Sequence, residues 1–373
     1  MDFSYPDTYS DIRKLAGEIL SDHATPERFK KLEANGPYLD SALWTTFVES
    51  GLHAASLPEA IGGMGLPFSA TTMVTEALGE AVVMIPYIPC IISTALPLLS
   101  VPAMPVISEL LTSVVNGELS VTAFIEPGNE DPLSPRTTAT QAGEGWQLNG
   151  TKHCVPYAAN AGTVLMSATV NGELWAGLVP VQQKGVSLAE QLTTTHEPQY
   201  EITLNNANAH CVARGDAARA LIEKSIAMTT VAYCSMACGV ATRMTRIACD
   251  YTSQREQFGV AIATFQAVAH RLADCFIDTE CLKIMTLQAV SDLDDGNDTA
   301  MSVSLAKVRC GDALHRISQA TQHVHGGTGI DRDYHLWRYC LWAKFLELAL
   351  GSSRLHLARI ADRIEAEYLA KAG

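Results

Sequence analysis

The sequence predicts an α+β fold built from three successive parts. Apolar residues recur at helical spacing near the start, as in 11–20 and 38–50. Short β-rich runs separated by Gly, Asn and Pro then follow, and long helical stretches return after them. We therefore predict an N-terminal helical domain at 1–118, a middle β-barrel or sandwich domain at 119–215, and a C-terminal four-helix bundle at 216–373.

Individual elements support each part of this prediction. The middle domain rests on five β-rich runs, which are 120–125, 145–149, 163–168, 174–179 and 200–204. The bundle rests on four long amphipathic stretches, which are 217–253, 264–293, 299–322 and 334–369. In the first part, 51–65 is a glycine-rich connection, and it is not a phosphate loop because no Lys-Ser/Thr pair follows the glycines.

Composition limits the class of protein and its partners. The chain has 373 residues, of which 47% are hydrophobic and 18% are charged, as in well-buried globular proteins. A net charge of -14 argues against nucleic acid and anionic membrane surfaces as general partners. The ten cysteines show no zinc-type spacing, and the start shows no signal-peptide pattern. We expect no metal site and a cytoplasmic location.

The stretch 81–107 is long and uncharged enough to be considered as a membrane span. It carries five prolines, which would interrupt a lipid-exposed helix repeatedly. We therefore predict two short buried helices joined by a Pro-rich connection, and no membrane span.

Two motifs in the last part carry the signal of a bound ligand. Arg255 follows a long helix, in Arg-Glu-Gln-Phe-Gly, and offers a rigid fork for a phosphate. Gly326 and Gly327, with Gly329 two residues on, let the backbone approach a large ligand closely. These two motifs, their order along the chain and the predicted helices between them resemble the C-terminal domain of the acyl-CoA dehydrogenases, a family of FAD enzymes. The three-part architecture is also similar to that family.

The resemblance implies that FAD lies at a dimer interface, where one chain lends contacts to the pyrophosphate and adenosine of FAD held mainly by its neighbour. The family's glutamine before the glycine pair falls on His323 here, with Gln322 one residue early. We call the nine matching residues the lending surface: Arg255, Gln257, Phe258, Phe265, Gln266, Gln322, His323, Gly326 and Gly327. The alternative is that Arg255 only caps a helix end and that Gly326-Gly327 is a plain turn.

The other half of a family site, the bed under the flavin, is altered in this sequence. Ile125 replaces the threonine of the family's Thr-Glu-Pro-Gly, and Asp131, beside Glu130, falls where the family has serine. Cys154 replaces an aromatic wall, and Pro156 offers neither a hydroxyl nor an N–H group. We call Ile125, Asp131, Cys154 and Pro156 the receiving bed. Carboxylates at this point would repel a pyrophosphate, so we predict that the bed does not hold a flavin.

The family's catalytic base is also displaced or lost. Acyl-CoA dehydrogenation needs a carboxylate to remove the proton α to the thioester while hydride leaves the β carbon for the flavin. Alignment on Gly351 places Leu350 at the base position, whereas an ungapped alignment places Glu347 there. The family's second base position falls on Thr229, beside Thr230. We predict no catalytic residue, with Glu347 as the remaining candidate.

Together these features resemble the non-catalytic subunit of heteromeric acyl-CoA dehydrogenases, and more narrowly the members found in bacterial steroid side-chain degradation. The resemblance implies an α2β2 heterotetramer with a paralogous catalytic partner that supplies the base and the acyl-CoA pocket. It also implies FAD shared with that partner and an electron-transfer flavoprotein as acceptor. Two alternatives stay open: a self-sufficient homomeric enzyme that uses Glu347, and a flavin-free acyl-CoA-binding or scaffold protein.

Overall fold

The structure is a computed structural model that describes residues 7–35, 39–129, 131–143 and 145–372. The chain divides into two compact units, each assembled from separate stretches. One unit contains the described parts of Met1–Arg28, Pro67–Val83 and Thr230–Gly373, and the other contains those of Phe29–Leu66 and Met84–Thr229. The domain boundaries at 118 and 215 stay predictions.

The predicted α+β class is confirmed, with helices first, strands next and helices last. The helices before the strands are α1 (Asp7–His23), α2 (Pro26–Asn35), α3 (Ser41–Glu49), α4 (Phe68–Ala81), a π-helix (Ile88–Ala95) continuing into α5 (Leu96–Leu98), and α6 (Pro105–Val115). The helices after the strands are α7 (Gly215–Gln254), α8 (Gln266–Asp294), α9 (Ala300–His325), α10 (Leu336–Leu348) and α11 (Ser353–Ala372).

The strands between these helices close into a barrel. They are β1 (Ser120–Ala123), β2 (Thr138–Ala142), β3 (Gly145–Pro156), β4 (Thr163–Val170), β5 (Glu173–Pro180), β6 (Val186–Gln191) and β7 (Gln199–Arg214). In the described residues the strand order is β1-β4-β2-β3-β7-β5. The antiparallel β4–β5 ladder closes the strands from β4 to β5 into a ring, and β1 pairs with β4 outside that ring. Strand β6 pairs with β7 on the side. Of the two predicted alternatives, the barrel is the observed one.

The last predicted helix, 334–369, is wrong as a single element, because the chain turns between α10 and α11. Leu350 and Gly351 both have positive φ, at 58° and 109°. These dihedrals lie outside the right-handed helical region and end the helix. The Nζ of Lys307, a fully buried residue of α9, donates to the carbonyls of Leu346 and Glu347 at 2.9 Å each. This lysine therefore satisfies carbonyls that the end of α10 leaves without a helical partner.

Two glycines let α4 and α7 cross at close range. A Cβ atom on Gly79 would lie 2.0 Å from the carbonyl oxygen of Met236, and one on Gly239 would lie 2.0 Å from that of Glu76. Any larger side chain would therefore push the two backbones apart. The hydroxyl of Ser235 donates to Thr72 O at 2.7 Å beside this crossing. The crossing fixes the position of α7, whose end carries Arg255.

One helix of the described chain is long and apolar enough to pass as a membrane span. It is α7, and 78% of its most apolar window is buried inside the protein. Burial of this extent is what the central helix of a bundle shows. The predicted candidate stretch 81–107 instead contains the π-helix, α5 and the start of α6.

Candidate functional site

Arg255 lies at the base of a short hairpin that follows α7. Strand β8 (Glu256–Gln257) pairs with β9 (Val260–Ala261), and the turn residues Phe258 and Gly259 have φ values of 56° and 79°. Two positive φ values at the centre of a two-residue turn are typical of a type I′ hairpin. Backbone bonds anchor Arg255, since its N–H donates to Tyr251 O at 2.9 Å. The arginine side chain is exposed.

Two aromatic rings of the lending surface meet beside this hairpin. Phe258 is 93% exposed, and its ring meets that of Phe265 edge to face at 6.2 Å. Phe265 immediately precedes α8, whose first residue, Gln266, is also exposed. Gln257 donates from its side chain to the carbonyl of Glu256 at 2.7 Å. The sequence therefore brings an arginine and two aromatic rings to one exposed loop.

The glycine motif at the end of α9 has one packed and two open positions. A Cβ atom on Gly326 or Gly327 would meet no atom within 4 Å, whereas one on Gly329 would lie 2.9 Å from Gln322 O. Gly329 is therefore required by packing, and the open pair leaves room for a ligand against the backbone. His323, three residues before Gly326 in α9, is exposed.

A cluster that the sequence analysis missed joins the two motifs. The imidazole of His325, the last residue of α9, stacks on Tyr251 at 4.2 Å between ring centroids. Tyr251 precedes Arg255 by one helical turn, about 6 Å along the axis. The ends of α7 and α9 are thus neighbours, so Arg255 and Gly326 belong to one surface. The available signal was the second histidine of the His-Val-His-Gly-Gly motif, directly before the glycine pair.

The chemistry of the lending surface fits the pyrophosphate and adenosine of FAD. Within the described residues, Arg255 makes no ion pair, so its guanidinium fork is available to an anion. The exposed rings of Phe258 and Phe265 offer apolar area to a purine ring. Gly326 and Gly327 leave open space above the backbone. We infer that these groups would bind and orient that part of the cofactor.

The structure also brings most of the receiving bed together. The N–H of His153 donates to Ile125 O at 3.0 Å, which places Ile125 beside Cys154. Cys154 has φ 53°, and its N–H donates to Gln191 Oε1 at 2.8 Å. Pro156 pairs with Gln199 in the β3–β7 ladder. The N–H of Cys154 is therefore engaged and Pro156 has none, so these two positions offer no free backbone donor to a ligand.

Asp131 belongs to a local turn beside the bed. Its carboxylate accepts the N–H of Leu133 at 3.0 Å, and its own N–H donates to Asn129 Oδ1 at 3.1 Å. Such bonds are typical of an Asx turn. The neighbouring Glu130 lies outside the described residues.

A buried ion pair holds the loop that adjoins the bed and carries Asp131. Lys152 has no exposed area, and its Nζ donates to Glu126 Oε1 at 2.7 Å. Glu126 also accepts from Thr137 Oγ1 at 2.6 Å and from Arg136 N at 2.6 Å. Burial opposes ionisation of Glu126, but the bonds from Lys152 and Thr137 outweigh it and lower the pKa of this carboxyl to about 2. The carboxylate therefore ties the start of the loop at Glu126 to its end at Thr137.

The two candidate base positions at the end of α10 differ in their surroundings. The carboxylate of Glu347 forms an ion pair with Lys344 and lies 3.5 Å from Nδ1 of His315. Leu350 forms part of the turn, and its carbonyl accepts from Nε2 of His356 at 3.1 Å. Burial lowers the pKa of His356 to about 4, so this bond comes from a neutral imidazole. Glu347 is thus engaged with neighbouring side chains, and Leu350 has no proton-accepting group.

The second candidate position, Thr229, belongs to a buried hydroxyl network. Its hydroxyl donates to Ser225 O at 2.6 Å and lies 2.8 Å from Ser93 Oγ. The hydroxyls of Ser225 and Thr122 both donate to Ser93 O, at 2.6 and 3.0 Å. Thr229 is therefore a packing residue that satisfies the polar groups of the π-helix.

Comparison with known proteins identifies the family. The family models for the N-terminal and C-terminal domains of acyl-CoA dehydrogenases match residues 6–103 and 218–365. Acyl-CoA dehydrogenase FadE27 of Mycobacterium tuberculosis is 28% identical, over 98% of this chain and 99% of that protein. A solved variant of the Tcur3481-Tcur3483 steroid ACAD is 33% identical, with a TM-score of 0.91 over 98% of this chain and 99% of that chain. The solved ChsE4-ChsE5 complex from Mycobacterium tuberculosis is 28% identical, with the same TM-score and coverage. The chain belongs to the acyl-CoA dehydrogenase family.

Proposed function

We propose that this chain is the non-catalytic subunit of a heteromeric acyl-CoA dehydrogenase and completes the FAD site of a paralogous catalytic partner. The observation that carries the proposal is the contrast between two surfaces. Arg255 and the Gly326–Gly327 pair are exposed and open, whereas Ile125, Cys154 and Pro156 take the places of groups that contact a flavin. A chain with only the first surface can bind part of a cofactor that another chain holds.

In the proposed assembly the partner holds the isoalloxazine ring and this chain holds the other end of the cofactor. Bound FAD supplies a hydride acceptor for the β carbon of a CoA thioester. The guanidinium of Arg255 would bind the pyrophosphate through paired N–H groups. Phe258 and Phe265 would cover the adenosine, and the backbone at Gly326 and Gly327 would approach it closely.

The proton-transfer step is assigned to the partner, because none of the three candidate base positions in this chain offers a carboxylate free of neighbouring side chains. Thr229 bonds the carbonyl of Ser225 and the hydroxyl of Ser93. Leu350 is aliphatic, and Glu347 pairs with Lys344. The proposed substrate is a CoA thioester of a steroid side chain, in line with the 33% identity to a steroid ACAD. An electron-transfer flavoprotein as acceptor and a cytoplasmic location complete the proposal.

Two helices offer surfaces on which a partner subunit would dock. Helix α8 exposes Phe276 (61%), Ile277 (55%) and Ile284 (54%), which lie at helical spacing. Helix α11 exposes Leu357, Ile364 and Tyr368, which also lie along one stripe of the helix. Large apolar side chains grouped in this way are typical of subunit interfaces. We assign both stripes to the paralogous subunit and to the second copy of this chain in the tetramer.

Co-expression with a paralogous catalytic subunit is expected to give two chain types in equal numbers and about one FAD per pair. Native mass spectrometry measures the stoichiometry, and flavin absorbance measures the cofactor. A stable homotetramer with one FAD per chain would instead support the self-sufficient enzyme. A complex that stays colourless would support the scaffold protein.

A charge in the α8 stripe tests the docking surface in the same experiment. Phe276→Asp would place a carboxylate in the interface and is expected to abolish the heterotetramer. Leu192→Asp is the matched control, because Leu192 is 92% exposed and lies outside α8 and α11. Equal assembly of both variants would remove the α8 stripe from the interface.

Glu347→Gln is expected to leave the turnover of an acyl-CoA by the assembled complex almost unchanged. The amide keeps the size of the side chain and removes the basic carboxylate. Loss of a true general base lowers the rate by about 10²–10⁴. Steady-state oxidation by the variant complex decides the matter, with FAD content and thermal unfolding as controls. A fall of two orders of magnitude or more with FAD still bound would make this chain catalytic.

A further inference from the structure

His325, which directly precedes the glycine pair of the lending surface, contacts its own helix and two other segments of the chain. It is the last residue of α9, is 3% exposed and directly precedes Gly326. Its Nδ1 lies 2.7 Å from Thr321 O on its own helix, and its Nε2 lies 3.1 Å from the hydroxyl of Tyr334. Its ring stacks on Tyr251 of α7, whose hydroxyl donates to His325 O at 3.4 Å.

These contacts define the protonation of the ring. A carbonyl oxygen only accepts hydrogen bonds, so Nδ1 carries the proton that bonds Thr321 O. Burial lowers the pKa of His325, which favours the neutral ring. In that form Nε2 is an acceptor, and the hydroxyl of Tyr334 donates to it. Both ring nitrogens are therefore satisfied by partners at fixed positions.

The geometry connects the imidazole to the phosphate-binding groups on both sides. Tyr251 O accepts the N–H of Arg255 at 2.9 Å, so the stacked tyrosine holds the backbone at which the arginine emerges. On the other side, His325 is joined by one peptide bond to Gly326. Gly326 has a φ of 58° and is the first residue of the open glycine pair. A shift of the imidazole would change the distance between Arg255 and the glycines.

We infer that His325, as the neutral Nδ1–H tautomer, is a positioning residue that sets the spacing between Arg255 and Gly326–Gly327 for one pyrophosphate. This inference rests on the proposed function, in which these groups share one cofactor. His325 does not touch the cofactor and acts through Tyr251 and the α9 terminus. Its effect on FAD binding should therefore depend on the presence of Arg255.

A double-mutant cycle in the co-purified complex tests this dependence. His325→Phe keeps a ring for stacking and removes both polar contacts, and it is expected to speed FAD release about 3- to 10-fold. In an Arg255→Ala background the same change is expected to alter release by less than about twofold, because the two residues act as one unit. FAD release after dilution is followed by flavin fluorescence. His315→Phe, an exposed histidine on the same helix, is the control and should match the unaltered complex.

The outcomes separate this inference from the proposed function. Equal effects of His325→Phe in both backgrounds, or no effect in either, would overturn the positioning role of His325. The proposed phosphate contact of Arg255 would not be affected by that result. Unchanged FAD release in the Arg255→Ala variant alone would overturn the proposed FAD contact of the lending surface, and the positioning role of His325 with it. Should His325→Phe fail to fold, Tyr334→Phe removes one hydroxyl from the same cluster and enters the same cycle.

A measurement on the isolated chain tests the tautomer without any cofactor. Nitrogen-15 NMR of the histidine side chains distinguishes a neutral ring protonated at Nδ1 from one protonated at Nε2. A signal assigned to His325 by its loss in the His325→Phe variant should report Nδ1–H at neutral pH. An Nε2–H or doubly protonated ring would overturn the inference.

Discussion

Replacing Lys152 with methionine is expected to lower the free energy of unfolding of the β-barrel unit by about 3–5 kcal/mol. Methionine has a similar length, but it leaves the carboxylate of Glu126 buried without its cation. Glu126 is 3% exposed, so solvent cannot replace the lysine. The bonds from Thr137 and Arg136 remain, but they do not neutralise the charge. Chemical unfolding followed by tryptophan fluorescence, to which Trp175 buried in the barrel contributes, measures the change.

The matched control neutralises both partners. Glu126→Gln combined with Lys152→Met removes the two charges together, and it is expected to recover most of the lost stability. A loss below about 1 kcal/mol in the single variant, at the level of an exposed pair, would contradict the assignment of this ion pair as the support of the loop. Protonation of Glu126 in the single variant would also give a small loss, because burial raises the pKa of this carboxyl once the bond from Lys152, the main cause that lowers it, is gone.

This ion pair lies next to the positions of the receiving bed that differ from the family's motifs. Glu126 and Lys152 adjoin the altered positions, since Ile125 precedes the first and Cys154 follows the second closely. The bond between His153 N and Ile125 O still joins the two segments. In the non-catalytic role that we propose, folding and partner binding matter, and flavin binding by this bed does not.

The sequence was sufficient for features that depend on neighbouring residues. The Gly326–Gly327 pair is open and Gly329 is packed, and spacing alone already marked this motif as unusual. The three-part order of helices, strands and helices also followed from hydrophobic periodicity.

Features that depend on distant contacts could not be predicted. The turn at Leu350–Gly351 interrupts a continuous helical pattern, and side chains of Lys307 and His356 bond carbonyls at the end of α10 and in this turn. Barrel closure depends on the β4–β5 ladder, and local β propensity does not report which strands pair. The stacking of His325 on Tyr251 joins residues 74 positions apart. Each of these outcomes depends on packing that no short stretch of sequence contains.

Arg255→Ala is expected to weaken the retention of FAD in the assembled complex about 10- to 100-fold, although this chain alone is expected to hold no flavin. A charge-assisted contact of guanidinium with phosphate contributes about 1.5–3 kcal/mol, which corresponds to that range. The side chain is exposed and makes no ion pair among the described residues, so its removal should leave the fold intact. Equilibrium dialysis of FAD against the complex, with thermal unfolding of the same samples, measures both quantities.

Two further variants decide whether the effect comes from the fork or from charge alone. Arg255→Lys keeps the charge and loses the paired N–H geometry, so an intermediate loss of affinity is expected if the contact is bidentate. Arg246→Ala removes an exposed arginine from α7, the helix that precedes Arg255, and should leave retention unchanged, because Arg246 lies more than two helical turns before the end of that helix. Equal losses in the Arg255 and Arg246 alanine variants would indicate a long-range effect of net charge, which salt would screen. A loss confined to Arg255, largest for alanine and smaller for lysine, is the result that a pyrophosphate contact requires.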